Sequence, residues 1–237
     1  MIKFFRTIRK NLIEQSKVRN YFFYAIGEIF LVVIGILIAL QINNWNEEKK
    51  SSKFESEILK LISQNLERDS VMISIELKKA LTATALTDRV LKAAKEKTYS
   101  DSIPFWLGKI ITFERFQSQS SGYEVLKSKG FDVIKNKNLQ TDLISYYDSD
   151  LFNMSQGLND VLGAFNTDWI PILKSEFSDF RWMEYAEPRD YKLFFNNQTH
   201  LMQFKLYQDN REGSIDKMVL ALDKIAIIKS QIDLAND

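Results

Sequence analysis

Residues 24–48, YAIGEIFLVVIGILIALQINNWNEE, contain the feature that decides the architecture. From Phe22 to Ile42 the chain is apolar apart from Glu28 and Gln41, a run of 21 residues, and a helix that crosses a bilayer needs about 20. A run that is this long and this uniformly apolar disfavours a core helix of a soluble domain. A cleaved signal peptide is also disfavoured, because about twenty residues precede the run and no A-x-A site follows it. The sequence therefore predicts an uncleaved transmembrane helix over residues 22–45.

The flanks of the apolar run predict its interfaces and its orientation. Aromatic residues are enriched at both bilayer interfaces, so Tyr24 and Trp45 are the expected interfacial anchors. Residues 1–45 carry six basic and two acidic residues, and only three lysines follow closely behind the span. Basic residues are retained on the cytoplasmic side. We therefore expect a single pass through the inner membrane, with the N-terminus in the cytoplasm and residues 46–237 in the periplasm.

Two features inside the span are candidates for helix association. Gly35 and Ala39 are four residues apart, a spacing of small residues that lets a second helix approach closely. Glu28 is an acid near the cytoplasmic end, where it either lies among the headgroups or pairs with a partner inside the membrane. The expected partners are the lipid bilayer and either a second copy of the chain or another membrane protein.

Composition limits the chemistry of the rest of the chain. The 237 residues include no Cys, which excludes disulfides, thiolate metal sites and a cysteine nucleophile. The net charge is +1 and no long basic run follows the span, so no nucleic-acid partner is expected. The basic segment 1–21 has apolar residues at helical spacing, and it is either a short cytoplasmic helix on the inner leaflet or a solvated tail.

Two stretches resemble a known family. Residues 24–47, YAIGEIFLVVIGILIALQINNWNE, are similar to the N-terminal signature of a domain-of-unknown-function family found mainly in Bacteroidota. Residues 121–147, SGYEVLKSKGFDVIKNKNLQTDLISYY, resemble the second recurring motif of that family. The family-like residues of this motif, which we expect to be structural, are Tyr123, Glu124, Leu126, Lys127 and Gly130. The resemblance implies a single-span inner-membrane protein with a helical periplasmic domain. It supplies no activity, so no catalytic residues follow from it.

Residues 46–237 have the pattern of long helices. Gly (8) and Pro (3) are scarce, and apolar residues recur every three or four positions over about 47–97, 139–169 and 197–234. Residues 105–120 are aromatic and suggest a short helix. Residues 97–104 are expected to break the first long helix, with Pro104 as the firmest stop, and the second is expected to run to Pro171. Residues 123–129 predict a further short helix that ends at Gly130. No strand is expected. The pattern predicts an all-α fold, an N-terminal transmembrane helix followed by an antiparallel helical bundle with long helices.

The sequence outside the span contains no recognisable catalytic motif. His200 is the only histidine, and G-x-S-x-G and nucleotide-binding motifs are absent, so we predict no catalytic residue, no metal site and no cofactor. We expect His200 at the surface or at a helix start. Asp-Ser-apolar triplets at Ser70 and Ser102 resemble the O-glycosylation acceptor of Bacteroidota, and Ser102, near a helix break, is the better candidate.

A small basic knob surrounds Gly130. It either meets an anionic group or is an exposed turn, and its members are Lys127, Lys129, Lys135 and Lys137.

These patterns favour a function without catalysis. The leading hypothesis is a membrane-anchored interaction, scaffold or sensory module, because a tail of about twenty residues is too short for an output domain. The alternative is a module that binds a small molecule in a pocket near Trp106, Trp169 and Trp182. An unrecognised hydrolase would need His200 beside a nucleophile and an acid.

Overall fold

The structure, a computed structural model, describes the backbone of residues 18–236 and the side chains of residues 22, 23 and 25–235. The inner-leaflet segment predicted over residues 1–21 falls almost entirely outside these residues. The chain divides into two compact units, Met1–Phe54 and Glu55–Asp237.

Helix α1, Val18–Glu96, contains the apolar span and also the first core helix of the second unit. No Gly or Pro occurs between residues 36 and 96, so nothing in the sequence interrupts the helical hydrogen bonds. The helix is followed by Lys97, which has a positive φ of 55°. The break predicted before Pro104 is present, since α1 ends at Glu96. Pro104 lies in the first turn of α2. An N–H group at this position has no acceptor within the helix, so proline is tolerated there.

The unit of residues 55–237 is built on three long helical stretches: α1, an interrupted helix from 137 to 176, and a C-terminal helix, α8, Gln198–Asn236. Lys224 Nζ donates to Asp142 at 3.0 Å, and Gln203 Nε2 donates to Asp168 at 3.0 Å. Because the later residue of the interrupted helix meets the earlier residue of α8, the two helices are antiparallel.

Helix α8 is also antiparallel to α1. Gln208 Nε2 donates to Asp88 at 3.1 Å, and Lys229 forms an ion pair with Glu67. The interrupted helix and α1 therefore run in the same direction, and the segment between them returns the chain. The predicted all-α fold with an antiparallel arrangement of long helices is confirmed.

The returning segment is partly irregular. Helix α2, Ile103–Ile110, is followed by residues 111–120 without regular secondary structure, so the helix predicted over 105–120 ends ten residues early. Helix α3, Ser121–Lys129, matches the predicted motif helix. It ends at Gly130, whose φ of 97° is one that L-residues rarely adopt, and a 3₁₀ turn, Phe131–Val133, follows.

Two π turns interrupt the long middle helix. Its parts are α4, Lys137–Ile144, a first π turn, Ser145–Asp150, α5, Leu151–Ala164, a second π turn, Phe165–Trp169, and α6, Ile170–Glu176. The prediction that this helix ends at Pro171 is wrong, because the helix continues to Glu176. A proline inside a helix removes a donor and crowds the carbonyl four residues earlier, and the wider π turn before Pro171 accommodates both effects.

A β-hairpin follows α6 where no strand was expected. Strands β1, Phe177–Arg181, and β2, Tyr185–Pro188, pair antiparallel. The turn contains Met183 with a positive φ of 63°, and no Asn-Gly or Asp-Gly pair marks it. Strand β2 lies so close to α2 that a Cβ on Gly108 would be 2.1 Å from the backbone nitrogen of Tyr185. Helix α7, Tyr191–Asn196, then leads into α8, and Asp190 caps its first turn.

Candidate functional site

The apolar span presents its side chains to the surroundings. No side chain in its most apolar window is buried within the protein, and large residues such as Ile29, Leu37 and Ile42 are more than half exposed. Among the described residues, one helix is long and apolar enough to cross a membrane.

The residues predicted to act in the membrane lie along this exposed helix. Gly35 and Ala39 are exposed, and a Cβ on Gly35 would meet nothing within 4 Å. Glu28 is partly exposed and takes part in an interaction within the chain. Trp45 is exposed, and Lys49 Nζ lies 5.8 Å from its ring centroid. The side chain of Tyr24 lies outside the described residues. Helix association and interfacial anchoring stay predictions.

In the second unit, two buried polar residues of α1 receive the start of motif helix α3. Asn65 Oδ1 accepts hydrogen bonds from the Gly122 N–H at 2.9 Å and from Ser121 Oγ at 3.1 Å. One turn later Asp69 accepts from the Gln119 N–H at 2.8 Å. A carboxylate near a helix N-terminus also interacts favourably with the helix dipole. These bonds fix α3 against α1.

The family-like residues of α3 alternate between the core and the surface. Tyr123 and Leu126 are buried, and Glu124 and Lys127 are exposed. The Tyr123 ring stacks on Tyr147 with a centroid separation of 4.3 Å. The contacts are those of a packed structural element.

The predicted basic knob is largely neutralised by acids. Lys127 lies 3.4 Å from Asp148, and Lys137 lies 3.7 Å from Asp132. Lys135 likewise approaches a carboxylate, that of Glu55 at 3.8 Å. These pairs favour an exposed turn over a site for an anionic group.

The two serines singled out as glycosylation acceptors differ in their surroundings. Ser70 is half-buried within α1, whereas Ser102 is exposed in the turn before α2. An exposed turn is the more accessible of the two, and modification of either serine stays a prediction.

His200 is at a helix start, one of its two expected positions, and it is buried and not at the surface. Its Nδ1 lies 3.1 Å from the Phe194 carbonyl oxygen, and its Nε2 lies 3.3 Å from Asn197 Nδ2. Both ring nitrogens thus have structural partners. Among the described residues, no group of three or more His, Cys, Asp or Glu side chains could hold a metal ion.

The most unusual chemistry of the second unit is a fully buried ion pair. Arg211, on α8, is 0% exposed, and its Nε donates to Glu114 Oε1 at 3.0 Å. Its Nη2 donates to the carbonyl oxygens of Ile110 at 3.2 Å and Thr112 at 2.5 Å. Tyr207 Oη donates to the same Thr112 carbonyl. These side chains replace the helical hydrogen bonds that residues 111–120 do not make.

This cluster is incompletely satisfied. Within the described part of the chain, Glu114 Oε2, Arg211 Nη1 and Ser214 Oγ are buried and have no hydrogen-bond partner. Burial raises the pKa of Glu114, and the Arg211 guanidinium beside it opposes that effect. Buried polar atoms without partners are rare and costly in folded proteins.

Glu114 lines a cleft of about 520 Å³. We call it the Glu114 cleft; its other walls are Met72 of α1, residues 113 and 115–117, and four residues of α5, Ser155, Leu158, Asn159 and Leu162. Glu114 itself is only 3% exposed. It therefore belongs to the floor of the cleft and not to its rim.

The three tryptophans predicted to line one pocket have different surroundings. Trp169 is in the core against Phe204, and Trp182 packs against Phe113 with ring centroids 4.8 Å apart. Trp106 lines a separate open cleft beside Tyr99.

Residues 28–113 match the model of a family of unknown function, DUF6090. The expected resemblance to a domain-of-unknown-function family is thus confirmed over this range. The DUF6090 match includes most of the span, the remainder of α1 and all of α2. It ends one residue before Glu114, and the second motif, residues 121–147, lies outside it. No curated protein and no solved structure matches the chain.

Sequence reasoning missed Glu114 and Arg211. A signal for Arg211 exists, because Phe204, Tyr207, Arg211, Ser214 and Met218 step by three and four along one face of α8, and all five are buried. A basic residue at a core position of such a stripe predicts a buried partner.

Proposed function

We propose that the chain is a bitopic inner-membrane protein whose second unit is a non-catalytic interaction or sensory module in the periplasm. The observation that carries the proposal is the run of exposed apolar side chains from Phe22 to Ile42. Exposed apolar patches of this size are unfavourable in water, and a bilayer removes them from it.

The orientation follows from the basic residues. Six precede the span within residues 1–21, and the cytoplasmic leaflet retains such segments. The module would then occupy the periplasm.

The absence of Cys makes this topology directly testable. Ser16→Cys and Ser102→Cys each introduce a single thiol, one before the span and one on an exposed turn of the second unit. A membrane-impermeant maleimide applied to intact spheroplasts should label Ser102→Cys and should label Ser16→Cys only after lysis. Ser214→Cys, buried in the fold, is the control and should stay unlabelled until denaturation. The reverse labelling order would contradict the proposal.

Self-association through the span is the second part of this proposal. Gly35 and Ala39 offer a small-residue face, and a leucine at either position would separate two closely packed helices. Amine-reactive crosslinking through exposed Lys49 in native membranes should therefore yield a dimer band that Gly35→Leu and Ala39→Leu abolish. Leu37→Phe adds volume on the opposite face and should leave the band intact. Equal crosslinking of all variants would exclude this face.

A second function, the binding of a small molecule by the 55–237 unit, is favoured by the Glu114 cleft. A buried carboxylate oxygen without a partner at the floor of a cleft is a polar group that fixes ligand orientation in small-molecule sites.

A further inference from the structure

We propose that the Glu114 cleft binds a small neutral ring compound that carries hydroxyl groups, such as a monosaccharide or a cyclic polyol. The inference rests on small-molecule binding by the 55–237 unit, and it does not depend on membrane topology.

The floor of the cleft requires a hydrogen-bond donor. Glu114 Oε1 is occupied by Arg211, while Oε2 has no partner among the described residues. A carboxylate oxygen only accepts, so the group that completes the bonding brings an O–H or N–H.

The charges beside the floor favour a neutral molecule. The Glu114 carboxylate is balanced by the Arg211 guanidinium at 3.0 Å. A second guanidinium, that of Arg115, lies 4.6 Å from the Phe113 ring on the cleft wall. Arg211 is fully buried and does not line the cleft, so a cationic ligand would meet the Arg115 guanidinium, and an anionic ligand would meet the Glu114 carboxylate. Neither charge is matched by the site.

The walls combine apolar faces with polar edges. The rings of Phe113 and Phe116 and the side chain of Leu162 supply apolar surface, and Ser155 and Asn159 of α5 supply polar groups at the exposed rim. The C–H face of a hydroxylated ring would pack on the apolar walls, and the hydroxyl groups at its edge would hydrogen-bond to the polar rim. The volume of about 520 Å³ lies within the range of small-molecule sites, roughly 300–1,000 Å³.

The test uses the full chain in lipid nanodiscs, because maltoside detergents carry sugars themselves. Saturation-transfer NMR and tryptophan fluorescence would be recorded with D-glucose, D-galactose, N-acetyl-D-glucosamine and myo-inositol as neutral probes. D-glucosamine and D-glucuronate are matched charged analogues. Trp182 packs against Phe113 of the cleft wall and provides the fluorescence signal. We expect saturable binding of at least one neutral probe and binding of both charged analogues that is at least about tenfold weaker.

Two substitutions on exposed positions of α5 locate the binding without disturbing the buried ion pair. Asn159→Trp places an indole in the cleft, and Gln156→Trp, which does not line it, is the matched control. We expect Asn159→Trp to abolish binding and Gln156→Trp to retain it. Binding that survives Asn159→Trp would overturn the assignment to this cleft.

The remaining outcomes separate the ligand class from the binding function. If a charged analogue binds more tightly than every neutral probe and Asn159→Trp removes that binding, the neutral class is overturned while small-molecule binding stands. If no probe binds at up to about 10 mM, both are overturned.

Discussion

Asp69 is a buried carboxyl group whose three described donors are all neutral. Ser118 Oγ donates at 2.5 Å, the Gln119 N–H at 2.8 Å and Tyr146 Oη at 3.1 Å. Burial raises the pKa of Asp69 above its usual value, and the hydrogen bonds only partly oppose that effect. The carboxyl group that fixes α3 to α1 therefore takes up a proton more readily in the folded chain than in the unfolded chain.

The sign of the pH effect follows from proton linkage. Because the folded chain binds the Asp69 proton more readily than the unfolded chain, this carboxyl contributes most to stability below its ordinary pKa. That contribution is lost as the pH rises through the raised folded pKa. The free energy of unfolding of the wild type, relative to that of Asp69→Asn, should therefore increase as the pH falls from 7 toward 4. Denaturant titrations of both chains at several pH values measure this, and a constant or decreasing difference would contradict it.

Arg211 and Glu114 allow a second prediction at the residue scale. Arg211→Met leaves the buried Glu114 carboxylate without its partner and should lower the free energy of unfolding by about 3–5 kcal/mol. The double variant with Glu114→Leu should recover much of this loss, because no buried charge remains. Lys92→Met breaks an exposed pair with Glu96 and should have little effect. Equal losses in the single and double variants would show that the pair is not coupled.

At the scale of elements, the contact of α2 with the β-hairpin depends on Gly108. Any Cβ there would lie 2.1 Å from the Tyr185 nitrogen, a backbone atom that cannot rotate away. Gly108→Ala should therefore destabilise the fold by at least about 2 kcal/mol. Gly163→Ala, in a helix with nothing within 4 Å of the new Cβ, should be neutral or stabilising by up to about 1 kcal/mol. Thermal unfolding followed by circular dichroism compares them, and a stable Gly108→Ala chain would require the hairpin to lie elsewhere.

The sequence predicted the elements that have a sustained helical period. The apolar span, the long helices and α3 with its Gly130 end were all recognised, because apolar spacing and a glycine stop are local signals. The hairpin was missed since its turn uses Met183 at positive φ without a glycine. The irregular segment 111–120 was missed because its backbone is held by Arg211, about a hundred residues away in the chain.

The candidate site could be predicted only in part for the same reason. Glu114 and Arg211 are ordinary charged residues in the sequence, and only the fold brings them together. The cleft above them is formed by α1, the irregular segment and α5, and no local pattern specifies such a junction.

At the scale of the whole molecule, the second unit has its own core, and the first contains the apolar span. A chain that begins at Asn46 should therefore be soluble and helical, with a melting temperature within about 5 °C of that of the full chain. Removal of residues 2–21 alone should leave the chain in the membrane fraction, since the span is intact. Ultracentrifugation and circular dichroism test both. An insoluble or unfolded Asn46 chain would show that the second unit depends on the first.

The two π turns of the middle helix have a consequence for how this chain can change in length. A π turn holds one residue more than an α turn. Both turns contain buried aromatic residues, Tyr146 and Tyr147 in the first and Phe165 and Trp169 in the second. Loss of one residue inside either turn converts it to an ordinary helical turn and leaves the helix on both sides in phase. Elsewhere in the same helix, a single-residue deletion would rotate every later core residue by about 100°. Homologous chains that differ by one residue here should carry the gap at these turns.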